Sequence, residues 1–133
     1  MRVTLLRGKL HRVAVTGADL HYEGSIAIGP ELIEAAGFLH HEKVDIYNVT
    51  NGERFSTYVI PGTNRGEILV NGAAARLVQP GDQLIICAFG ELEMEEAKRH
   101  QPRVVLVDEE NRPLAAAATA AEPDAETDPV SAG

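Results

Sequence analysis

Few residues in this chain of 133 have the type and spacing that chemistry needs. The five histidines are His11, His21, His40, His41 and His100. Only His40 and His41 are close in sequence, and neighbours on a regular element point different ways, so no metal site is expected. The single cysteine, Cys87, excludes an internal disulfide and any cysteine-based zinc cluster. It lies in the apolar run Leu84–Phe89, which marks it as a buried, inert thiol. Phosphate-loop, dinucleotide and Gly-x-Ser-x-Gly patterns are all missing. That leaves Gly24-Ser25, a hydroxyl directly after a glycine, between two strand candidates where a sharp turn is expected. Alone, it is an ordinary turn dipeptide.

The elements that must position these residues are short. Strands are expected over 2–6, 9–15 and 25–28. Gly29-Pro30 opens a helix through Ala36, with Pro at its first position and Gly37 as its C-terminal cap. Residues 43–49 and 54–60 flank Asn51-Gly52, a hairpin signal. Asn71-Gly72 marks a second turn, followed by a helical turn at Ala73–Ala75. Pro80-Gly81-Asp82 turns into the run 84–89, which is apolar on both faces and predicts a central strand. A short acidic helix over 93–99, a strand at 104–107 and a turn at 108–112 complete the body. Many short strands with few, brief helices point to a closed or nearly closed β-barrel. Aromatic residues are 5% and Trp is absent, so its core must be Val, Ile, Leu and Ala.

Charge narrows the function. Twelve basic residues against 20 acidic give a net −8, which argues against a nucleic-acid binder. Half of that net charge sits in residues 115–133, an Ala-, Glu- and Asp-rich stretch expected to be a disordered tail. Among the first 24 residues Arg2, Arg7, Lys9 and Arg12 outnumber Asp19 and Glu23, a balance that suits an anionic small molecule. No apolar stretch has the length of a signal peptide or a membrane span, so the cytoplasm is the expected compartment. Asn48-Val49-Thr50 matches a glycosylation acceptor and, without a secretion signal, is read as coincidence.

Several separated segments then agree with one family. Gly8-Lys9-Leu10-His11-Arg12, Val15-Thr16 and Ala18-Asp19-Leu20-His21-Tyr22-Glu23-Gly24-Ser25 resemble the processing region of the pyruvoyl-dependent aspartate 1-decarboxylases. Asn48–Gly52, Arg54–Tyr58, Val70–Ala75 and Gly81-Asp82 fit the same family, in order, over residues 1–114. The resemblance implies a double-psi β-barrel catalytic domain over 1–114 that assembles as a homotetramer. It implies a zymogen that cuts itself between Gly24 and Ser25 into residues 1–24 and 25–133, leaving Ser25 as an N-terminal pyruvoyl group. The activity would be L-aspartate to β-alanine and CO2, feeding pantothenate synthesis. An uncut, non-catalytic barrel acting as a binding module, and a pyruvoyl decarboxylase of another amino acid, are the competing readings.

The implied chemistry suits the residues. Decarboxylation leaves electrons at Cα that need a sink, and a ketone condensed with the substrate amine as a Schiff base supplies one. To make it, Ser25 Oγ attacks the Gly24 carbonyl. Glycine leaves that carbonyl uncrowded and permits strained backbone angles. The ester so formed loses the Gly24 carboxylate, and the remaining dehydroalanine hydrolyses. By resemblance, Thr57 stabilises the oxyanion and Tyr58 returns a proton to Cα. Arg54 and Lys9 are the natural partners of two carboxylates, and Gly72, Ala73 and Ala74 offer backbone N–H groups to the substrate. His11, Tyr22 and Asn71 support the site. Strand alternation puts Arg54, Ser56 and Tyr58 on one face and Phe55, Thr57 and Val59 on the other. Thr57 and Tyr58 therefore reach one site only through a bulge or through sharing between subunits, and sharing is the expectation.

Overall fold

Alternating apolar residues between turn dipeptides give the chain eight strands. The computed structural model describes residues 1–114. In chain order the elements are β1 (Arg2–Ala14), β2 (Gly17–Asp19), β3 (Ser25–Ile28), α1 (Pro30–Ala36), β4 (Lys43–Asn48), β5 (Arg54–Pro61), β6 (Ile68–Asn71), a 3-10 helix (Gly72–Leu77), β7 (Gln83–Glu93), α2 (Met94–Ala97) and β8 (Arg103–Leu106). The fold is mainly β with few short helices, as expected. The tail expected to be disordered, 115–133, lies outside the described residues. No helix among the described residues is long and apolar enough to cross a membrane.

The strands form one sheet in the order β2-β6-β3-β5-β4-β7-β1-β8. β1 and β2 stand six places apart in that order. On a flat sheet six spacings would be roughly 29 Å. Yet only Val15 and Thr16 join the two strands, a link able to span about 10 Å. The sheet must therefore curl. Backbone bonds from Val15 to Asp82 and from Thr16 to Ile68 hold the two ends together.

Curling sorts the residues by face. The cross-strand row Leu10, Ile86, Ile46, Phe55 points inward, and its first three members are fully buried. The next row, Lys9, Cys87, Asp45, Ser56, points outward, because side chains alternate along a strand. The core is Val, Ile, Leu and Ala, joined by Phe38. Cys87 is buried as expected.

Local signals locate α1 well. Pro30 occupies its start, and Gly37, at φ +76°, ends it by donating to the Ile33 and Glu34 carbonyls. The hairpin strands β4 and β5 also appear where expected, with Gly52 at φ +84° in the loop. Asn48 is buried and donates to Asp82 and to the Leu77 carbonyl, a structural role in keeping with reading its glycosylation pattern as coincidence.

Other boundaries move. The two strands expected over 2–6 and 9–15 are one, β1. Its pairing with β7 slips between Leu6 and Gly8 and between Leu10 and Val13, with Arg12 at φ +64° in the second slip. These bulges let one long strand bend round the core instead of ending. The run 84–89 extends to Glu93 as β7, which lies between β1 and β4 as a central strand should. The acidic helix shrinks to α2, four residues with none buried. The last strand ends at Leu106, Val107 instead bridging to Pro113. β2 and β6, three and four residues long, are too short to show a period; β2 pairs with β6, and β6 pairs with β3 as well.

The turn at 108–112 serves as a clasp. Asn111 is buried at φ +63°. Its Oδ1 accepts from the Ala14 N–H, and its Nδ2 donates to the Ala14 and Gly66 carbonyls, all at 2.8 Å. Replacing Asn111 with Ala strands a buried donor and two acceptors, each worth about 1–3 kcal/mol when unsatisfied. Denaturant titration of Asn111→Ala should show a loss of at least that size; a loss below about 0.5 kcal/mol would mean water replaces the side chain.

Candidate active site

Ser25 opens β3, a strand buried along its whole length. β6 runs antiparallel on one side and β5 parallel on the other. The antiparallel register sets Ser25 directly opposite Asn71. Asn71 Nδ2 donates to Ser25 Oγ at 3.1 Å, and Oγ donates its own proton to the Glu23 carbonyl at 3.0 Å. Both side chains are about 1% exposed, so this hydroxyl has one fixed orientation. Gly24, immediately before it, is exposed.

The turn after β6 reaches the same linkage. Gly72 is buried at φ +79°. A side chain at 72 would place its Cβ 2.5 Å from Gly24 Cα, 2.8 Å from Gly24 N and 3.4 Å from the Tyr22 carbonyl. Gly72 is thus needed for close approach to the Gly24 backbone, beyond the approach to substrate expected of it. Ala73 is exposed and Ala74 half-buried beyond it. Gly24 is not among the glycines at positive φ, and a Cβ added there meets nothing within 4 Å. It is a glycine in open space, and the constraint lies on its neighbour.

β5 contributes Arg54, Thr57 and Tyr58. Its pairing with β4 runs from Arg54 to Tyr58 without a slip, which removes a bulge as the way to aim Thr57 and Tyr58 alike. Thr57 pairs with buried Val44 and faces inward beside Phe55 and Val59, whereas Tyr58 pairs with exposed Lys43. The Tyr58 ring lies 6.1 Å from that of His41. The parallel ladder of β3 with β5 pairs Ile26 with Val59. Carried back by one residue, that register sets Ser25 level with Tyr58, whereas Gly24 lies in the bend before β3 and has no partner in the ladder.

Lys9 and Arg54 are not brought together. They stand on β1 and β5, with β4 and β7 between, roughly 15 Å apart at the backbone. Neither makes an ion pair among the described residues. Tyr22 is 55% exposed and touches the cluster through its backbone.

Two outward residues escaped the sequence reading. Tyr47 lies under Arg54, whose guanidinium carbon is 4.5 Å from the ring centroid, a cation–π contact that orients the cation. Asp45 accepts from Ser56 Oγ at 2.7 Å. Counting outward from the Asn51-Gly52 turn pairs 49 with 54, so the observed pairing of 47 with 54 could not be found that way. Burial, then Cys87 and Asp45, raise the Tyr47 pKa, with Arg54 opposing. Burial also pushes the Cys87 thiol up to about 11, keeping it protonated.

His11 sits half-buried on β1, its Nδ1 enclosed and unpartnered. Burial, then the charges of Lys9 and Arg12, push its pKa down to about 4. The ring is therefore neutral at pH 7. From its ordinary value of 6.5 down to about 4, the unfolded chain takes a proton that the folded chain refuses. Stability from this residue is thus complete above that window and lost as pH falls through it. An NMR titration of the His11 ring should show a midpoint near 4; one at 6.5 or above would remove desolvation as the cause.

The family model described as aspartate decarboxylase matches residues 1–114. The aspartate 1-decarboxylase of Bdellovibrio bacteriovorus is 60% identical over 112 residues, covering 84% of this chain and 90% of its own. That of Maricaulis maris is 53% identical over 116 residues, covering 86% and 96%. That of Hydrogenobaculum is 57% identical over 114 residues, covering 86% and 90%. The matched span holds the paired Ser25 and Asn71 and all of β5, and by that match the chain belongs to the aspartate decarboxylase family.

Proposed function

We propose that the chain converts L-aspartate to β-alanine and CO2 in the cytoplasm, for pantothenate biosynthesis, after cutting itself at Gly24-Ser25 and turning Ser25 into a pyruvoyl group. The observation that carries this reading is the Ser25 hydroxyl, buried, held by Asn71 and covalently next to an exposed glycine. With its proton directed at the Glu23 carbonyl and one lone pair taken by Asn71, Oγ keeps one lone pair for the Gly24 carbonyl carbon. Attack forms the Oγ–C bond and breaks the C–N bond, the hydroxyl proton passing to the freed Ser25 amine. Elimination then removes the Ser25 Cα proton, breaks the Cβ–Oγ bond and frees the Gly24 carboxylate, and hydrolysis at position 25 consumes one water and releases ammonia. Thr57 donates to the oxyanion. Enforced proximity of this kind is worth effective molarities of about 10⁵–10⁸ M.

The residues fit the group that results. Asn71 Oδ1 is buried and unpartnered beside Ser25, an acceptor for a donor that substrate would bring. The pyruvoyl ketone supplies the electron sink for decarboxylation. Lys9 and Arg54 bind the carboxylates, Tyr47 orients Arg54, and Tyr58 returns a proton to Cα. Backbone N–H groups of Gly72, Ala73 and Ala74 position the substrate, with His11 and Tyr22 in support. Because Thr57 and Tyr58 face opposite ways and Lys9 stands far from Arg54, one chain's site is completed by a second subunit. A homotetramer of cleaved chains, each with one catalytic domain over 1–114, meets that need.

Intact mass should show two fragments, 1–24 and 25–133, the larger trapped by borohydride with aspartate. Ser25→Ala should give one uncut, inactive chain; if it is still cut at this bond, Ser25 is not the nucleophile. A native chain that stays uncut would favour a binding module, and trapping by another amino acid in preference to aspartate would reassign the substrate. Tyr58→Phe should be cut normally yet turn over about 10²–10⁴-fold more slowly. Unchanged turnover would take the proton transfer away from Tyr58.

A further inference from the structure

Four observations converge on Gly72. It has a left-handed backbone at φ +79°. Its missing Cβ would press into Gly24 Cα at 2.5 Å and Gly24 N at 2.8 Å. It directly follows Asn71, which pairs with Ser25 through the backbone ladder and through its side chain. Gly24 itself meets nothing on its open side and has no left-handed φ. The linkage is thus held on the Ser25 side by Asn71 and backed on the Gly24 side by Gly72.

We propose that Gly72 is a positioning residue for self-cleavage: its bare Cα is the surface against which the scissile Gly24-Ser25 linkage is set. This rests on the self-cleavage reading above and adds to it. Asn71 fixes the attacking oxygen and Gly72 backs the Gly24 Cα that carries the carbonyl under attack, so two consecutive residues act on both partners of one reaction. A methyl at 72 must push Gly24 away by about 1 Å to reach ordinary contact. A misplacement of that size costs about 10²-fold in rate.

The comparison needs a control for backbone strain, and Gly81 provides it. Its φ is +95° and an added Cβ there meets nothing within 4 Å, so Gly81→Ala carries the left-handed penalty without the clash. Each full-length chain is made in a short cell-free pulse, and the uncut fraction is followed by intact mass. Gly72→Ala should be cut about 10²-fold more slowly than the native chain, while Gly81→Ala keeps the native rate. The inference is overturned if Gly72→Ala is cut at the native rate or if Gly81→Ala is slowed as much. Should Gly72→Ala fail to fold, the uncut Ser25→Ala chain decides: an NOE between the α-protons of Gly72 and Gly24 supports the contact, and its absence overturns the inference. A native chain that is never cut sinks the self-cleavage reading; a native chain cut no faster than Gly72→Ala sinks only this one.

Discussion

The pairing of Ser25 with Asn71 is the constraint on which the site depends. A serine hydroxyl is a poor nucleophile that ordinarily turns among three rotamers. Here the ladder between β3 and β6 fixes its backbone, and the amide of the opposite residue fixes its oxygen. β3 could not do this alone. Its four residues have order only because β5 and β6 bond it on both sides and the core closes over Ile26 and Ile28. The curl of the sheet, imposed by the short link between β1 and β2, brings β6 to β2 and completes that enclosure. Global topology thus becomes local rigidity at one oxygen atom.

The same curl explains why one chain's candidate residues divide. With Leu10, Ile86 and Ile46 inward, alternation leaves Lys9, Arg54 and Tyr58 outward. A cation on the outer face of a β-sheet is ordinarily solvated, and binding to it is weak. For Lys9 and Arg54 to hold carboxylates firmly, something must cover that face and lower its exposure to water. A second copy covering it would do so while bringing its own Ser25 or its own cations. Tyr47 is consistent with such a surface. Its ring holds Arg54 in one position, so that less freedom is lost on binding.

Sequence patterns disclosed the punctuation of the fold better than its partners. Proline and glycine at the ends of α1, and Asn51-Gly52 between β4 and β5, act through local backbone angles, and such signals can be read in one dimension. β2 and β6 cannot, because they are too short to show a period. β1 was split in the reading because Arg7-Gly8 looks like a break, while bulges carry the strand through it. The site followed the same division. Ser25 and Asn71 could be named from motifs, but their opposition across a ladder depended on an unrecognised strand. The contact of Gly72 with Gly24 is a further one that nothing local shows. The left-handed backbone lies at Gly72 and not at Gly24.

Energetics point to the same place. Buried polar atoms in folded proteins almost always have partners, and one left without costs about 1–3 kcal/mol. Among the described side chains the two such atoms are Asn71 Oδ1 and His11 Nδ1. A sequence selected for stability alone could replace Asn71 by an apolar residue of similar shape, as at Val70 beside it, and avoid the cost. The acceptor remains where Ser25 Oγ has already taken the donor half of the same amide. His11 remains neutral, its ring desolvated and set between the charges of Lys9 and Arg12. Asn71 Oδ1 becomes explicable if a ligand brings it a donor, and His11 Nδ1 if a ligand brings the donor or acceptor that the ring's tautomer requires. The fold gives up stability at two points, and both lie on residues that the family's chemistry would use.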